Sequence, residues 1–134
     1  MNPIPQELNH PRNRDVLTHL SDTSAHGDVA EALLDACASL GDFERFCPDP
    51  SEYRYLTVYT NATVFGFAMG MRTVGFRLAP VFKSRAIATG GEEVPGLQDW
   101  AAFQLFRSDW PAVDVKFWAT RAYVWARESR DDGA

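Results

Sequence analysis

"TVFGFAMGMRTVGFRLAP", at residues 63–80, is the most apolar stretch of the chain and decides how the rest is interpreted. It suits a membrane span, a cofactor-binding segment or a protein core. Residues 57–71 lie in an uncharged run bounded by Arg54 and Arg72, which is shorter than the roughly 20 residues that a spanning helix needs. Gly66, Gly70 and Gly75 lack the spacing of a phosphate-binding loop. The stretch is therefore predicted to be buried core, without membrane association.

The first half of this stretch fits a strand better than a helix. Side-chain size alternates, so that a strand would carry the bulky residues on one face: Phe65, Phe67, Met69 and Met71. The other face would carry small residues: Val64, Gly66, Ala68 and Gly70. In a helix capped by Thr60 or Asn61, each glycine would cost about 1 kcal/mol relative to alanine. We favour the strand and leave the helix open.

The other patterns predict helices near both ends of the chain and strands between them. Apolar residues at helical spacing predict a helix over residues 28–41 and another over residues 108–129. The second helix has capping and first-turn residues in Ser108, Asp109 and Pro111. Strands are expected at residues 53–60, 74–78, 84–91 and 100–106, and a loop at residues 92–99.

These elements predict an α+β fold. We expect a small, mostly antiparallel sheet of three to five strands, flanked by an N-terminal and a C-terminal helix in a single pair of layers. Residues 21–134 are expected to form one domain, because a chain that is 46% hydrophobic fills one core without staples. Residues 1–20 are polar and proline-rich, which predicts a loosely ordered arm with one helical turn near residues 16–20.

Cysteines and histidines indicate neither a catalytic nor a metal site. Cys37 and Cys47 are too few for a disulfide scaffold, and whether they are bridged stays open. Cys37 lies on the apolar face of its helix and is expected to be an inert buried thiol. Zinc-binding spacings, nucleophile elbows and nucleotide-binding loops do not occur. We expect no metal, no cofactor and, since the N-terminus lacks a signal sequence, a cytoplasmic location.

Charge is divided unevenly along the chain, whose formal net charge is −5. Residues 1–52 hold ten acidic and three basic residues, whereas residues 53–91 hold five basic residues and no acidic one. Aromatic residues are interleaved with these basic residues, as in proteins that stack nucleic-acid bases. Because the whole chain is acidic and carries no recognition motif, nucleic-acid binding is not expected.

Two groups of residues are candidates for contact with a partner. The first is acidic and lies in or just after the first predicted helix: Glu31, Asp35, Asp42 and Glu44. These residues form either a face that is solvated or folded over the basic centre of the chain, or a surface that binds a basic protein. In the second case, the complementary electrostatic potentials would speed docking. The second shares one side of the C-terminal helix and either buttresses it or recognises a partner: Trp118, Arg121 and Trp125.

The lack of a catalytic constellation favours a non-catalytic protein-binding domain. The most concrete version is a bacterial immunity- or inhibitor-type protein that binds and occludes a partner toxin or effector. The alternative is a small-molecule-binding α+β domain or an enzyme. Its pocket would lie between sheet and helices and be lined by Tyr55, Tyr59, Met69 and Trp118. A second alternative is a homodimeric structural domain that pairs through an aromatic sheet face.

Overall fold

The computed structural model describes residues 2–106 and 113–128. The strands are β1 Glu44–Phe46, β2 Leu56–Thr60, β3 Thr63–Met69, β4 Thr73–Arg77, β5 Glu92–Val94 and β6 Leu97–Gln104. The helices are α1 Pro11–Leu20, α2 Gly27–Cys37, α3 Pro80–Ala88 and α4 Val115–Glu128, with 3₁₀ turns at Gln6–Leu8 and Pro50–Glu52. The sheet order is β1-β2-β3-β4-β6-β5, and all neighbours are antiparallel. The α+β class is confirmed, and these six strands exceed the three to five predicted.

The quoted stretch begins with strand β3, as predicted, so the helix alternative is excluded. β3 follows β2 through a two-residue turn at Asn61 and Ala62, whose φ angles of 53° and 56° are both positive. Turns of this hand match the right-handed twist of paired strands, which is why they join two-residue hairpins. We call the end of the sheet marked by Asn61 and Ala62 the turn end.

The predicted faces of β3 are wrong in one respect, because Phe65 and Phe67 lie on opposite sides of the sheet. Val58 pairs with Gly66 and Tyr59 pairs with Val64, so Phe65 is the extra residue of a β-bulge. The bulge interrupts the strict alternation of faces. Phe65 therefore joins the core on one side of the sheet and Phe67 joins the core on the other.

Each face of the sheet has its own hydrophobic cluster. Helices α2 and α4 pack on one face, where they share a cluster with the side chains of Val58, Phe65 and Phe76. Helix α1 packs on the other face, where Val16 and Leu20 share a cluster with residues such as Phe67. The molecule therefore has three layers instead of the predicted pair.

Residues 11–20, expected to belong to a loosely ordered arm, form helix α1 instead. Pro11 occupies the first turn, where its missing N–H is not needed, and His10 Nδ1 accepts the backbone N–H of Arg12 at 3.2 Å. The segment is anchored by side chains that are almost fully buried: Leu8, Val16 and Leu20. The proline that suggested a loop therefore marks the start of a helix.

Two further predictions are wrong beside β4. Residues 84–91, expected as a strand, fall largely in α3, which carries Pro80 in its first turn. Residues 92–99, expected as a loop, contain β5 and the start of β6, joined by a turn in which Gly96 has a φ angle of +82°. In α3 only Ala86 is buried, so the sequence carries too weak an apolar stripe to reveal the helix.

The predicted N-terminal and C-terminal helices are present with different bounds. α2 ends at Cys37, four residues earlier than predicted. α4 begins at Val115, and Asp114 Oδ1 accepts the backbone N–H of Phe117 at 3.1 Å. The predicted capping and first-turn residues Ser108, Asp109 and Pro111 lie outside the described residues. Of the helices in the described ranges, none is long and apolar enough to cross a membrane.

Candidate functional site

An open cleft of about 380 Å³ lies at the turn end of the sheet, where five segments of the chain meet. The Gln6–Leu8 turn, the loop after α2, strands β1 and β2, and helix α4 each contribute to it. The ionisable residues of its lining come one from each segment: Glu7, Asp42, Glu44, Tyr59 and Arg127. Three carboxylates face one guanidinium, so the cleft is net negative, and we call it the acidic cleft.

The phenol of Tyr59 holds two carboxylates of the acidic cleft together. Its hydroxyl lies 2.8 Å from Glu7 Oε1 and 3.0 Å from Glu44 Oε2. Since both oxygens contact one hydroxyl, they lie within about 6 Å of each other. A phenol has a single proton, so the two carboxylates compete for one donor. At any moment one carboxylate accepts that proton and the other lies close beside it, and both keep acceptor capacity for a cationic group.

Tyr59 acts in this arrangement as a donor. Its ring is buried, with 5% of the residue exposed. Burial raises the pKa of Tyr59, and the hydrogen bonds and negative charges of Glu7 and Glu44 raise it further. The phenol therefore stays protonated far above neutral pH. It is not suited to act as a general base, which has to give up its proton near the working pH.

The position of Asp42 is fixed through its backbone. Its carbonyl oxygen accepts the hydroxyl of Thr60 at 2.9 Å and the hydroxyl of Tyr123 at 3.3 Å. Arg127 reaches the same place, since its Nη1 lies 3.4 Å from Thr60 Oγ1. The carboxylate of Asp42 is left at the exposed rim of the cleft, where it adds negative charge without closing the entrance.

The structure brings two of the four predicted acidic residues together. Asp42 and Glu44 both line the acidic cleft. Glu31 and Asp35 are exposed on α2, and within the described ranges neither forms an ion pair with a basic side chain. The acidic helix is therefore not folded over basic residues of the described chain. Its charges face solvent.

Glu7 is a site residue that sequence reasoning missed. It lies in the segment expected to be a loose arm, and it meets Tyr59 across a separation of 52 positions. The neighbouring Leu8 is only 1% exposed and anchors the segment against the sheet. The sequence signal for this contact is a single apolar residue, Leu8, flanked by polar ones. A pattern of one residue is too short to predict the contact.

The predicted cluster on α4 does not form one surface patch. Trp118 is buried and stacks on Phe103, with ring centroids 5.5 Å apart. The guanidinium of Arg121 lies over the ring of Phe82, 4.8 Å from its centroid. Trp125 is half-buried beneath the guanidinium of another arginine, Arg77, also at 4.8 Å. Trp118 is thus a core residue and cannot contact a partner.

The predicted alternative pocket also fails to form. Tyr55, Tyr59 and Met69 belong to the cluster on the α1 face of the sheet. Trp118 belongs to the cluster on the opposite face, with α2 and α4. A six-stranded sheet separates the two clusters, so the four residues cannot line one cavity. Of the four, Tyr59 lines the acidic cleft formed by the described residues.

Histidines and cysteines have structural roles. His10 and His26 cap the N-termini of α1 and α2, and the ring of His19 lies 6.3 Å from that of Phe67. Cys37 and Cys47 are free thiols, and burial raises the pKa of Cys37 to about 12, which keeps its thiol protonated. Within residues 2–106 and 113–128, no three metal-binding side chains cluster in a way that could hold an ion.

Comparison of the chain with family models, with curated proteins and with solved structures yields no match. What the site does is therefore inferred from its own residues. A net negative cleft that opens to solvent, beside an exposed acidic helix, favours cationic groups over neutral or anionic ones.

Proposed function

We propose that the chain is a non-catalytic protein-binding domain, most concretely a cytoplasmic bacterial immunity- or inhibitor-type protein that binds and occludes a basic toxin or effector. The observation that carries the proposal is the carboxylate pair Glu7 and Glu44, which meet at the hydroxyl of Tyr59 in an exposed net negative cleft. A lysine or arginine of the partner would contact both carboxylates at once and relieve their mutual repulsion, which favours docking.

The proposed contact surface keeps most of the predicted residues. Its acidic part consists of Glu31, Asp35, Asp42 and Glu44, all of them exposed. Arg121 and Trp125 on α4 remain candidates at its margin, whereas the buried Trp118 is excluded. Acidic surfaces of this kind speed association with basic partners and reject acidic ones.

A binding role is supported over a catalytic one by the state of the cleft residues. Tyr59 keeps its proton, and a nucleophile paired with a general base is absent from the residues that line the cleft. An anchoring role needs only fixed charge, which this geometry supplies.

The test is co-expression with the products of neighbouring genes, since immunity proteins are expected beside their toxins. We expect one product to stop growth when it is made alone and the wild-type chain to restore growth. The double variant Asp42→Lys, Glu44→Lys should fail to restore it. The matched control is Asp15→Lys, which reverses an exposed charge on α1 outside the cleft lining and should protect fully. Absence of any neutralised product would refute the proposal.

A second candidate is a small-molecule-binding or enzymatic role for the acidic cleft. It is favoured by the volume of about 380 Å³ and by the two carboxylates on either side of one hydroxyl, which suit a small cationic compound. The observation in its favour would be a rise in melting temperature with polyamines or amino sugars that the Glu44→Gln variant abolishes. No response to cationic compounds would leave protein binding as the better account.

A further inference from the structure

Three large apolar side chains are exposed on segments that lie at the end of the sheet opposite the turn end. Tyr53 is 68% exposed, Met71 is 65% exposed and Phe106 is 62% exposed. Backbone hydrogen bonds connect their segments: Ala25 N–H binds the carbonyl of Tyr53 at 2.7 Å, and His26 N–H binds that of Gly70 at 2.9 Å. Leu105 N–H binds the carbonyl of Arg72, likewise at 2.7 Å. We call Tyr53, Met71 and Phe106 the apolar patch.

The backbone turns two of these rings outward. Tyr53 and Phe106 have φ angles of 52° and 61°, in the left-handed region that bulky residues rarely adopt. The turn at Tyr53 is held on both sides, because its N–H bonds to the carbonyl of Pro50 and its own carbonyl is bonded by Ala25. Backbone conformations of this kind persist where the surroundings enforce them, and they concentrate at binding sites. The backbone that carries the Tyr53 ring is therefore held in place.

Exposed carboxylates adjoin the apolar patch. They belong to Asp22, Asp28 and Glu52. Among the described residues nearby, Arg54 offsets Asp22, from which it lies 3.8 Å, and Arg72 is exposed, so that one carboxylate remains in excess. The excess of negative charge continues along α2 with Glu31 and Asp35, which form no ion pair with a basic side chain in the described ranges. An apolar protein surface rimmed by lysine or arginine fits these charges.

Helix α2 joins the apolar patch to the acidic cleft. It starts beside the patch, where His26 bonds to Gly70, and the loop after it reaches the cleft at Asp42. Its 11 residues span about 16 Å. The exposed carboxylates of the helix, Asp28, Glu31 and Asp35, lie between the two sites.

We propose that the apolar patch is the hydrophobic anchor of the interface with the basic partner, engaging apolar side chains flanked by lysine or arginine. This inference rests on the proposed function, because it takes the acidic helix as part of the same interface. Tyrosine, methionine and other large side chains at the centre of an interface supply most of its affinity, whereas rim charges mainly steer the encounter.

The experiment uses the full chain, labelled for NMR, and three synthetic peptides of equal length. One alternates lysine with leucine, one alternates lysine with serine, and one alternates glutamate with leucine. We expect the lysine–leucine peptide to shift the amide signals of residues 53, 71 and 106 and to bind at least about tenfold more tightly than the other two. Equal binding of the glutamate–leucine peptide would overturn the inference.

The variant is Tyr53→Asn, Met71→Gln, since asparagine tolerates the left-handed backbone and both positions are exposed. It should lose about tenfold in affinity for the lysine–leucine peptide. The control Val81→Gln, at a residue that is 62% exposed on α3, should bind as the wild type does. Equal affinity of the variant and the wild type would refute an anchoring role for the apolar patch.

Two outcomes separate this inference from the proposed function. Signal shifts confined to α2 and the acidic cleft, together with growth protection by the Tyr53→Asn, Met71→Gln variant, would remove the apolar patch and leave the proposed function standing. Peptide binding at the apolar patch, with no neighbouring gene product neutralised by the chain, would refute the proposed function and leave the patch as a binding surface. Sedimentation tests whether the chain dimerises through the apolar patch. A dimer that the same variant abolishes would show that the patch binds a second copy of the chain, and would refute the inference that it binds a basic partner.

Discussion

The two ends of the sheet present different chemistry to solvent. At the turn end, the carboxylates of Glu7 and Glu44 meet at the hydroxyl of a buried tyrosine, whose aromatic ring lies inside. At the opposite end the rings of Tyr53 and Phe106 lie outside, and the carboxylates around them face solvent. Fixed charge provides steering and specificity, whereas exposed rings provide affinity once they are buried. If both ends contact one partner, as proposed, the two contributions come from sites that lie about the length of α2 apart.

The largest effect is expected at Gly75, in the middle of the sheet that both ends share. A Cβ atom there would overlap the ring of Phe67, so Gly75→Ala should lower the free energy of unfolding by about 1–3 kcal/mol. The control is Gly27→Ala at the start of α2, where nothing lies within 4 Å of the added atom. Urea unfolding measures both variants. A neutral Gly75→Ala variant would show that Phe67 is not confined as described.

The next largest effect is expected at the turn end, where it depends on Tyr59. Folding raises the pKa of Tyr59. The buried, protonated phenol therefore makes its full contribution to the free energy of unfolding below the unfolded pKa of about 10. This contribution is lost as the pH rises from there towards the folded pKa. Above about pH 10 the free energy of unfolding should fall by about 1.4 kcal/mol per pH unit for each such tyrosine. The Tyr59→Phe variant should release about one proton fewer on unfolding, so its free energy of unfolding should fall less steeply with pH. An unchanged slope in urea titrations would contradict the buried phenol.

A smaller effect, of opposite sign, is expected in the turn itself. Ala62 has a φ angle of 56°, which glycine adopts without strain. Ala62→Gly creates the asparagine–glycine pair that such hairpin turns prefer, and should raise the free energy of unfolding by about 0.5–1 kcal/mol. Thermal unfolding measures the change. A lower melting temperature would show that contacts of the Ala62 methyl group stabilise the fold by more than the relief of backbone strain does.

The smallest change in stability is expected at the apolar patch. Tyr53→Asn removes an exposed ring from a backbone that asparagine tolerates, so the free energy of unfolding should change by less than about 0.5 kcal/mol. Binding should weaken nevertheless. A stability loss above about 1 kcal/mol would show that the ring supports the fold, and the contrast between the two ends would then disappear.

The sequence predicts most of what depends on local pattern. Alternation of size in residues 63–69 gives strand β3, and helical spacing gives α2 and α4. It does not reveal the bulge at Phe65, because one extra residue reverses the faces without altering composition. It misses α1, because Pro11 at a helix start reads like a proline in a loop. The acidic cleft is predicted only in part, since Asp42 and Glu44 follow a charge pattern, while Glu7 meets Tyr59 only through the tertiary fold.

The proposed function requires that exposed acidic groups on α2 and at the acidic cleft steer a basic partner onto this surface. The association rate with the neighbouring-gene product that the chain neutralises, measured by stopped flow from about 20 mM to about 500 mM salt, tests this requirement. We expect the rate constant to fall by about tenfold or more over this range of salt. Glu31→Lys, Asp35→Lys should bring a comparable fall at low salt. A rate constant that neither salt nor this variant alters would show that these carboxylates do not steer a partner.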